Sequence, residues 1–417
     1  MPFGDLNFGL DLASVGGGGV VHPTPTQRQL IGSFNGVPNL AVTAMQSGGA
    51  YTANQGRVGH DIGRGGVKAN SVRVQDVQFM VTPGSGVEVS SPAAAGSDST
   101  WRRAIEISTT TYVATYAGSA QSAAMAAGGN IETDDITHPN ILAGTRIFSR
   151  FVRNLSDPTT GFINGINMNG PASQGFRTIG GNQIAANGAM NSSGSGGGNA
   201  VWPYMLTGIP LIPMAAARVG IDSIGQYKDD TNTSTTQGYI ARGLQSVNGE
   251  FFPWQKQGID GQKIANMTPT AAPLQQLSLN RVTVYILQAV TNDIAANRTL
   301  AQLKADFIAI ATVVKNTVGP YGLPILMVGL CCLNRGTFTG AQNTVKTDYN
   351  DWLIAGADTY CDVSIDLRPY QGDPLTYPND TVHPGPTDHA NMATPFAAAM
   401  APMLDPYWRP PGYVSFL

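Results

Sequence analysis

The sequence is poor in charge and contains no run of basic residues. Of its 417 residues only 12% are Asp, Glu, Lys or Arg, and the formal net charge at pH 7 is -3. Nucleic-acid backbones are bound by clustered Lys and Arg side chains. The composition therefore argues against nucleic acid as a main partner.

Long apolar runs are absent as well. No stretch reaches the roughly 18 consecutive apolar residues that a membrane helix needs. Residues 1–12 have neither the basic start nor the apolar centre of a secretory signal peptide. We expect no membrane partner, and the location stays open between the extracellular space, a virion and the cytoplasm.

Cysteine is scarce, with three residues in 417. An odd number without regular spacing argues against a disulfide framework. Cys331 and Cys332 directly follow an apolar run at 323–330, which predicts that both are small buried core residues.

Glycine, in contrast, is abundant at 50 residues, and it marks the first segment of the chain. Residues 1–20 end in four glycines and are predicted to be either a disordered leader or an extended peptide that docks on a partner. From 21 to 200 short segments alternate polar and apolar residues, at 71–81, 104–113 and 145–153. This pattern predicts a β-sandwich, jelly-roll-like, that binds or positions a ligand.

Two further features lie in this first half. A short helix is predicted at 119–127, where the sequence is rich in Ala. A Gly- and Ser-rich stretch at 191–199 predicts a linker or loop, and we place the boundary of a second domain there, at 201–417.

The second domain has a different pattern, in which strands alternate with helices. The clearest helix, at 300–318, has Leu303, Phe307 and Ile310 on one face. Strands alternating with helices predict a parallel sheet covered by helices on both faces. In such sheets functional residues gather at the carboxyl ends of the strands. Apolar strands are predicted at 214–220, 282–290, 325–330 and 363–367, and a second helix at 391–404.

Four short blocks of the second domain carry the groups that ester hydrolysis needs. They are Gly-Ile-Asp-Ser-Ile at 220–224, Gly-Ile-Asp-Gly at 258–261, Thr-Asn-Asp at 291–293 and Asp-Thr-Val-His-Pro at 380–384. A serine hydroxyl becomes a good nucleophile only when a base takes its proton and a third group orients that base.

Of the five histidines, His383 has a carboxylate, Asp380, three residues before it. At that spacing the carboxylate can lie beside the imidazole and select its tautomer. Ser223 follows the first predicted strand. The negative charge of a tetrahedral intermediate also needs donors, and the backbone N–H groups of Ser223 and Gly261 and the amide of Asn292 are candidates.

These blocks resemble the SGNH (GDSL-type) hydrolase superfamily, over roughly residues 210–405. The resemblance implies a three-layer α/β/α flavodoxin-like domain and ester hydrolysis without a cofactor or a metal. It implies Ser223 as nucleophile, His383 as base and Asp380 as its orienting group. Ser223, Gly261 and Asn292 would form the oxyanion hole.

Two positions depart from the family pattern. Ile221 stands directly before Asp-Ser, where the family usually has Gly, and Val290 stands two residues before the asparagine, where Gly is common. Both leave the catalytic side chains in place, and their effect on activity is open.

Other interpretations of single residues remain. Ser223 can also be a helix N-cap, and Asp388 with His389 can compete as the catalytic pair or join a metal site. A larger group of residues has a structural reading as well: Asp260 and Asp293 as partners of backbone groups, and Trp202 and Trp254 as loop aromatics that either pack or stack on sugar rings.

The leading prediction is a serine esterase that removes small acyl groups, O-acetyl groups of a polysaccharide in particular, from a glycan or small-molecule substrate. The alternative is a structural or adhesive component of a phage tail, spike or other particle, with catalysis secondary or lost. In that case residues 1–20 dock on the particle. A weaker third option is a lectin-like protein whose hydrolase half is inactive.

Overall fold

The computed structural model describes most of the second half of the chain and separate parts of the first. The described residues are 25–32, 34–35, 53–77, 79–81, 86–90, 99–126, 128–155, 174–178, 184–185, 204–226, 230, 238–355 and 357–411. The leader at 1–20, the Gly-rich stretch at 191–199 and Trp202 lie outside these residues. The predictions made for them, including docking on a particle, stay predictions.

The described residues form strands and helices in the following order. The strands are β1 (Gln29–Leu30), β2 (Phe34–Asn35), β3 (Ala53–Asp61), β4 (Arg73–Val77), β5 (Phe79–Val81), β6 (Glu88–Ser90), β7 (Ser99–Ile107), β8 (Thr110–Val113), β9 (Asn130–Glu132), β10 (Arg146–Leu155), β11 (Gln174–Thr178), β12 (Met205–Gly208), β13 (Ala217–Ile221), β14 (Trp254–Gly258), β15 (Val284–Gln288), β16 (Leu326–Leu330) and β17 (Val363–Ile365). The α-helices are α1 (Ser223–Gln226), α2 (Tyr239–Gln245), α3 (Thr291–Ala295), α4 (Leu300–Lys315), α5 (Gly340–Ala355), α6 (Ala357–Tyr360) and α7 (Pro386–Met400). Short 3-10 helices lie at Ile264–Met267, Leu274–Gln276, Leu279–Arg281, Arg368–Tyr370, Pro374–Thr376 and Ala401–Leu404. In the part of the chain described here, no helix combines the length and the apolar character needed to cross a bilayer.

The second half is built on a parallel sheet, as predicted. Its strand order is β17-β16-β15-β13-β14-β2, and β13 to β17 numbered along the chain give the order 2-1-3-4-5 of flavodoxin-like sheets. The apolar runs at β13, β15, β16 and β17 were all predicted as strands. Every residue of β13, β15 and β16 is buried, as expected for strands covered on both faces.

Helices cover the two faces of this sheet. On one face α2 and α7 pack over side chains such as Val219 and Ile286. On the other, α4 and α5 pack over Tyr285 and Met327. The face of α4 that carries Phe307 and its neighbours is the apolar face predicted from the sequence, because residues three and four apart lie on one side of a helix.

Strand β14 was not predicted, and Trp254 was assigned to a loop. The strand reads Trp-Gln-Lys-Gln-Gly, yet every residue in it is buried. Its polar side chains are hydrogen-bonded inside the protein: Gln255 Oε1 accepts from Arg218 Nε at 3.0 Å, and Gln257 Nε2 donates to Tyr204 Oη at 3.0 Å. Because several of its buried side chains are amides, β14 lacks the run of apolar residues from which a buried strand is predicted.

The first half contains antiparallel sheets. One has the order β1-β12-β4-β9, a second β11-β3-β10-β7-β8, and β5 pairs with β6 as a hairpin. The three alternating segments of the sequence lie in strands, as predicted, but 71–81 contains two strands, β4 and β5, and 104–113 contains the end of β7, a turn and β8. The core is continuous across the two halves, since one apolar cluster holds Leu30, Val74 and Ile147 together with Tyr285 and Phe307.

Two strands lie across the predicted boundary near residue 200. Strand β12 follows the boundary but pairs with β1 and β4, and β2 precedes it but pairs with β14 of the parallel sheet. The division into domains stays a prediction, and the sheets on its two sides exchange strands.

The prediction of a helix at 119–127 is wrong for the described residues, 119–126, which form bends, irregular chain and isolated bridges. Ser122 explains the difference. Its N–H donates to the Trp101 carbonyl and its hydroxyl accepts the Trp101 N–H, each at 2.9 Å. A serine that bonds a neighbouring strand in this way competes with helical hydrogen bonding. Cys331 and Cys332 are buried free thiols, as predicted.

Gly258, at the end of β14, allows the closest backbone approach in the region of the four blocks. Its φ is 136°, and a Cβ at this position would lie 1.8 Å from the carbonyl oxygen of Ile221, the last residue of β13. Only glycine fits here, because a side chain would meet both backbone strain and a backbone atom that cannot move away.

We expect Gly258→Ala to lower the free energy of unfolding by about 3 kcal/mol or more, the sum of strain and overpacking. Gly322→Ala is the matched control, because Gly322 also has a positive φ of 71° but nothing within 4 Å of its Cβ position. It should cost about 1 kcal/mol. Urea unfolding followed by circular dichroism measures both, and equal losses would contradict the steric argument.

Candidate active site

Ser223 lies where the chain leaves the parallel sheet. Strand β13 ends at Ile221, and α1 begins at Ser223. Between them, Asp222 Oδ1 accepts the N–H of Ile224 at 2.9 Å, which stabilises the turn into the helix. Because β13 has β14 on one side and β15 on the other, Ser223 lies at the point where the strand order reverses, the usual ligand position of such sheets.

His383 is brought to Ser223 from 160 residues further along the chain. Its Nε2 lies 2.9 Å from Ser223 Oγ, and its Nδ1 lies 2.7 Å from Asp380 Oδ2. The other oxygen of Asp380 accepts the backbone N–H groups of Val382 and His383, at 2.7 and 2.8 Å. The carboxylate therefore holds both the ring and the turn that carries it.

The protonation of this group follows from its hydrogen bonds. Burial opposes ionisation of Asp380, but the hydrogen bonds from His383 and from the backbone outweigh it and lower the pKa of the carboxyl. An ionised carboxylate only accepts, so Nδ1 of His383 carries its proton and Nε2 is left as an acceptor. In that tautomer Nε2 can take the proton of Ser223 Oγ. Ser223 and His383 are 5% and 7% exposed, so both are largely buried but still accessible at the surface.

Gly261 and Asn292 meet at the same edge of the sheet. Asn292 lies in α3, just after β15, and its Nδ2 donates to the backbone oxygen of Gln262 at 3.0 Å. Next to it, Asp293 Oδ2 accepts the N–H of Ile264 at 2.8 Å. Two hydrogen bonds thus hold the loop that contains Gly261 against α3.

Asp293 has the structural role suggested for it. Burial raises the pKa of its carboxyl to about 6, although the Ile264 N–H and Arg298 act in the opposite direction. Arg298 Nη1 lies 3.2 Å from Asp293 Oδ1 and 2.7 Å from Asp306 Oδ2. Asp260, in contrast, is exposed.

The competing pair, Asp388 and His389, does not lie beside Ser223 in place of His383. Asp388 Oδ2 accepts the N–H of Gly385 at 3.2 Å in the first turn of α7. The fully buried ring of His389 accepts the Tyr239 N–H at 3.2 Å and stacks on the Tyr239 ring, so it belongs to the packing of α2 on α7. Within the ranges that the structure describes, no three His, Cys, Asp or Glu side chains are grouped as metal ligands.

The two departures from the family pattern are core residues. Ile221 is fully buried between the sheet and the α2–α7 layer, and Val290 is 3% exposed in the opposite cluster. Both side chains therefore fill core space directly behind the candidate site. Their effect on activity stays open.

The buried and partly unpaired state of the Asp222 carboxyl was not predicted from the sequence. Its side chain is fully buried, and Oδ2 has no hydrogen-bond partner among the described residues. Burial raises the pKa of Asp222 to about 6, against the lowering effect of the Ile224 N–H. Its place beside Ser223 was visible in the sequence, but the missing partner of one oxygen depends on the whole surrounding fold.

Comparison with solved structures gives distant similarity, over less than half of the chain for two structures and over most of it for a third. A lipolytic protein of the G-D-S-L family from Veillonella parvula DSM 2008 matches 43% of this chain and 94% of its own, at 16% identity and a TM-score of 0.36. An acetylxylan esterase from Geobacillus stearothermophilus matches 45% of this chain and 94% of its own, at 14% identity and 0.36. A family two carbohydrate esterase from Clostridium thermocellum matches 84% of this chain and 91% of its own, at 10% identity and 0.35.

No protein-family model matches the sequence, and no curated protein matches it closely enough to count as a relative. At these low scores and identities, the function proposed below rests on the geometry of Ser223, His383 and Asp380.

The raised pKa of Asp222 predicts how stability depends on pH. The carboxyl titrates near 3.8 when exposed and at about 6 in the folded protein, so the folded state binds the proton more tightly. Wild-type stability should therefore fall as the pH rises from about 4 to about 6. Asp222→Asn keeps an acceptor at Oδ1 and removes the titration. Its free energy of unfolding relative to wild type should rise over this window by up to roughly 3 kcal/mol.

Urea unfolding at a series of pH values tests this. Asp380→Asn is the control, because its free energy of unfolding relative to wild type should change with pH in the opposite direction. The pKa of Asp380 is lowered, so its stabilising contribution is present above the ordinary carboxyl pKa and is lost as the pH falls through the lowered value. Parallel stability curves for wild type and Asp222→Asn would show that Asp222 does not titrate in this range.

Proposed function

We propose that this protein is a serine esterase that hydrolyses small acyl esters through an acyl-serine intermediate. The observation that carries the proposal is the continuous hydrogen-bonded series from Asp380 through His383 to Ser223, with distances of 2.7 and 2.9 Å. Each of the three groups meets the next through the atom that proton transfer requires.

In the first step Ser223 Oγ attacks the ester carbonyl carbon while its proton passes to His383 Nε2. The new positive charge on the imidazole lies beside the Asp380 carboxylate, which stabilises it. The carbonyl oxygen becomes negative and is stabilised by the N–H groups of Ser223 and Gly261 and by Asn292. The Asn292 amide has two N–H donors, and only one is needed for the bond to Gln262.

Collapse of this intermediate breaks the ester bond. His383 gives its proton to the departing alcohol oxygen, and the acyl group stays on Ser223. A water molecule then attacks the acyl carbon while His383 Nε2 takes its proton. The second tetrahedral intermediate releases the acid and returns the proton to Ser223 Oγ, so that the enzyme is regenerated.

We further propose that the substrate is an O-acetylated polysaccharide and that the antiparallel region is a β-sandwich, jelly-roll-like, that positions it. The support is architectural: antiparallel sheets adjoin the parallel-sheet half and share one apolar cluster with it. A module in that place is suited to present a long substrate to the carboxyl edge of the parallel sheet.

Ser223→Ala should lower the hydrolysis of p-nitrophenyl acetate by about 10³-fold or more, because it removes the hydroxyl that is held 2.9 Å from the base. Initial rates of the purified proteins measure this. Ser119→Ala, at an exposed position in the first half, is the control and should keep wild-type rates. Equal rates in wild type and Ser223→Ala would mean that Ser223 is not the nucleophile.

The proposed substrate class predicts a dependence on acyl length. We expect kcat/KM for p-nitrophenyl esters to fall from acetate to octanoate, and acetate to be released from an O-acetylated xylan by wild type and not by Ser223→Ala. The ester series is measured by absorbance and the release of acetate by a coupled assay. A preference for octanoate would contradict the small-acyl proposal and leave the serine mechanism intact.

A further inference from the structure

The hairpin of β5 and β6, which belongs to the antiparallel region, reaches the loop of the candidate oxyanion hole. The contact is made by Gln262, a fully buried residue directly after Gly261. Its Nε2 donates to the backbone oxygen of Gly86 at 3.1 Å, and to the oxygen of Lys263 at 3.3 Å. Gly86 lies two residues before β6 begins at Glu88.

The main chain of Gln262 is hydrogen-bonded close to both candidate oxyanion donors, Gly261 and Asn292. Its carbonyl oxygen accepts Asn292 Nδ2 at 3.0 Å. Its N–H donates to the oxygen of Ile259 at 3.0 Å, and this bond closes the turn in which Gly261 has a φ of 78°. Any displacement of Gln262 therefore moves the Gly261 turn and the partner of the Asn292 amide together.

The hairpin is itself firmly attached to the chain that follows this loop. The Glu88 carboxylate accepts the N–H groups of Leu274 and Gln275, at 2.9 and 2.7 Å. Charge-assisted hydrogen bonds of this kind are stronger than neutral ones. Gly86 and Glu88 thus contact the parallel-sheet half on both sides of the 3-10 helix Ile264–Met267.

Such support matters because oxyanion donors act only if their positions are fixed to within about half an ångström before the reaction. Gly261 lies in an irregular segment between β14 and the first 3-10 helix, where no ladder of hydrogen bonds holds it. We propose that Gln262 is a positioning residue for the oxyanion donors, held in place by the β5–β6 hairpin. The antiparallel region then supplies a required part of the esterase site. This inference rests on the proposed function.

Two glycine-to-alanine substitutions in the first half of the chain test the contact between Gly86 and Gln262. Gly86 and Gly118 have positive φ angles of 71° and 80°, so alanine brings similar backbone strain at both. A Cβ at Gly86 would lie 2.6 Å from Cδ of Gln262, whereas nothing lies within 4 Å at Gly118. Gly86→Ala should lower kcat and kcat/KM for p-nitrophenyl acetate together, by about 10-fold or more, because a misplaced donor is lost in the transition state. Gly118→Ala should stay within about twofold of wild type.

Gln262→Met provides the second variant. Methionine has nearly the volume of glutamine but no donor for the Gly86 oxygen, and no partner of Gln262 Oε1 is lost, since none is found among the described residues. We expect the same joint fall in kcat and kcat/KM, and a matching loss of affinity for a small alkyl boronic acid, whose tetrahedral serine adduct also needs the donors. The pH dependence of kcat/KM should not move, because the hydrogen bonds among Asp380, His383 and Ser223 are left in place. Gln276→Ala removes one side-chain bond to the Met267 oxygen in the same segment and serves as control.

The outcomes separate the inference from the function on which it rests. Wild-type kcat and boronate affinity in folded Gly86→Ala, confirmed by its melting temperature, would overturn the positioning role while the esterase stands. If Gln262→Met does not fold, the two glycine variants decide. If the wild-type protein shows no turnover that depends on Ser223, the proposed function fails and the positioning role fails with it.

Discussion

The pairing of β13 with a strand on each side is the constraint on which the candidate site depends. Its last residue, Ile221, is opposite Gly258 of β14 and opposite Gln288 of β15. Because all three strands are parallel, they end together, and the segments that follow them leave the sheet at one place. Ser223, Gly261 and Asn292 are thereby brought to one edge, although the first and the last are 69 positions apart in the sequence. The absence of a side chain at Gly258 allows this register, since a Cβ there would overlap the Ile221 carbonyl.

His383 is added to this edge by a different kind of interaction. The residue belongs to an irregular segment before α7, and no strand pairing fixes it. Asp380 does so instead, since one oxygen binds the ring and the other binds two N–H groups of the same turn. The Asp380 carboxylate, three residues before His383, thus fixes the local position of the imidazole. The packing of α7 against the sheet brings this segment to Ser223.

Few charges are present in this chain, and several of them lie in its interior. Asp76 with Arg103, Glu106 with Arg150, and Asp362 with Lys315 are ion pairs between buried side chains. Breaking such a pair leaves an uncompensated charge, which costs far more than the pair contributes. Asp222 differs from them, because its buried carboxylate has backbone N–H donors at one oxygen only. The turn that carries Ser223 therefore contains a buried carboxyl whose desolvation is only partly offset by the hydrogen bonds of the turn.

Features that depend on local spacing could be predicted from the amino-acid sequence alone. The period of α4, the apolar strands β13, β15, β16 and β17, and the Asp380–His383 pair are all encoded within windows of a few residues, and the structure has them where they were predicted. The four sequence blocks also contain the residues that the fold brings to one edge of the parallel sheet. The strand β14, the irregular chain at 119–126, the contact of Gln262 with Gly86 and the missing partner of Asp222 depend on the tertiary fold. In each of these cases the deciding partner is an amide, hydroxyl or backbone group distant in the chain. Hydrogen bonding between such groups leaves no periodic signal in the sequence, because it depends on geometry that exists only once the core has formed.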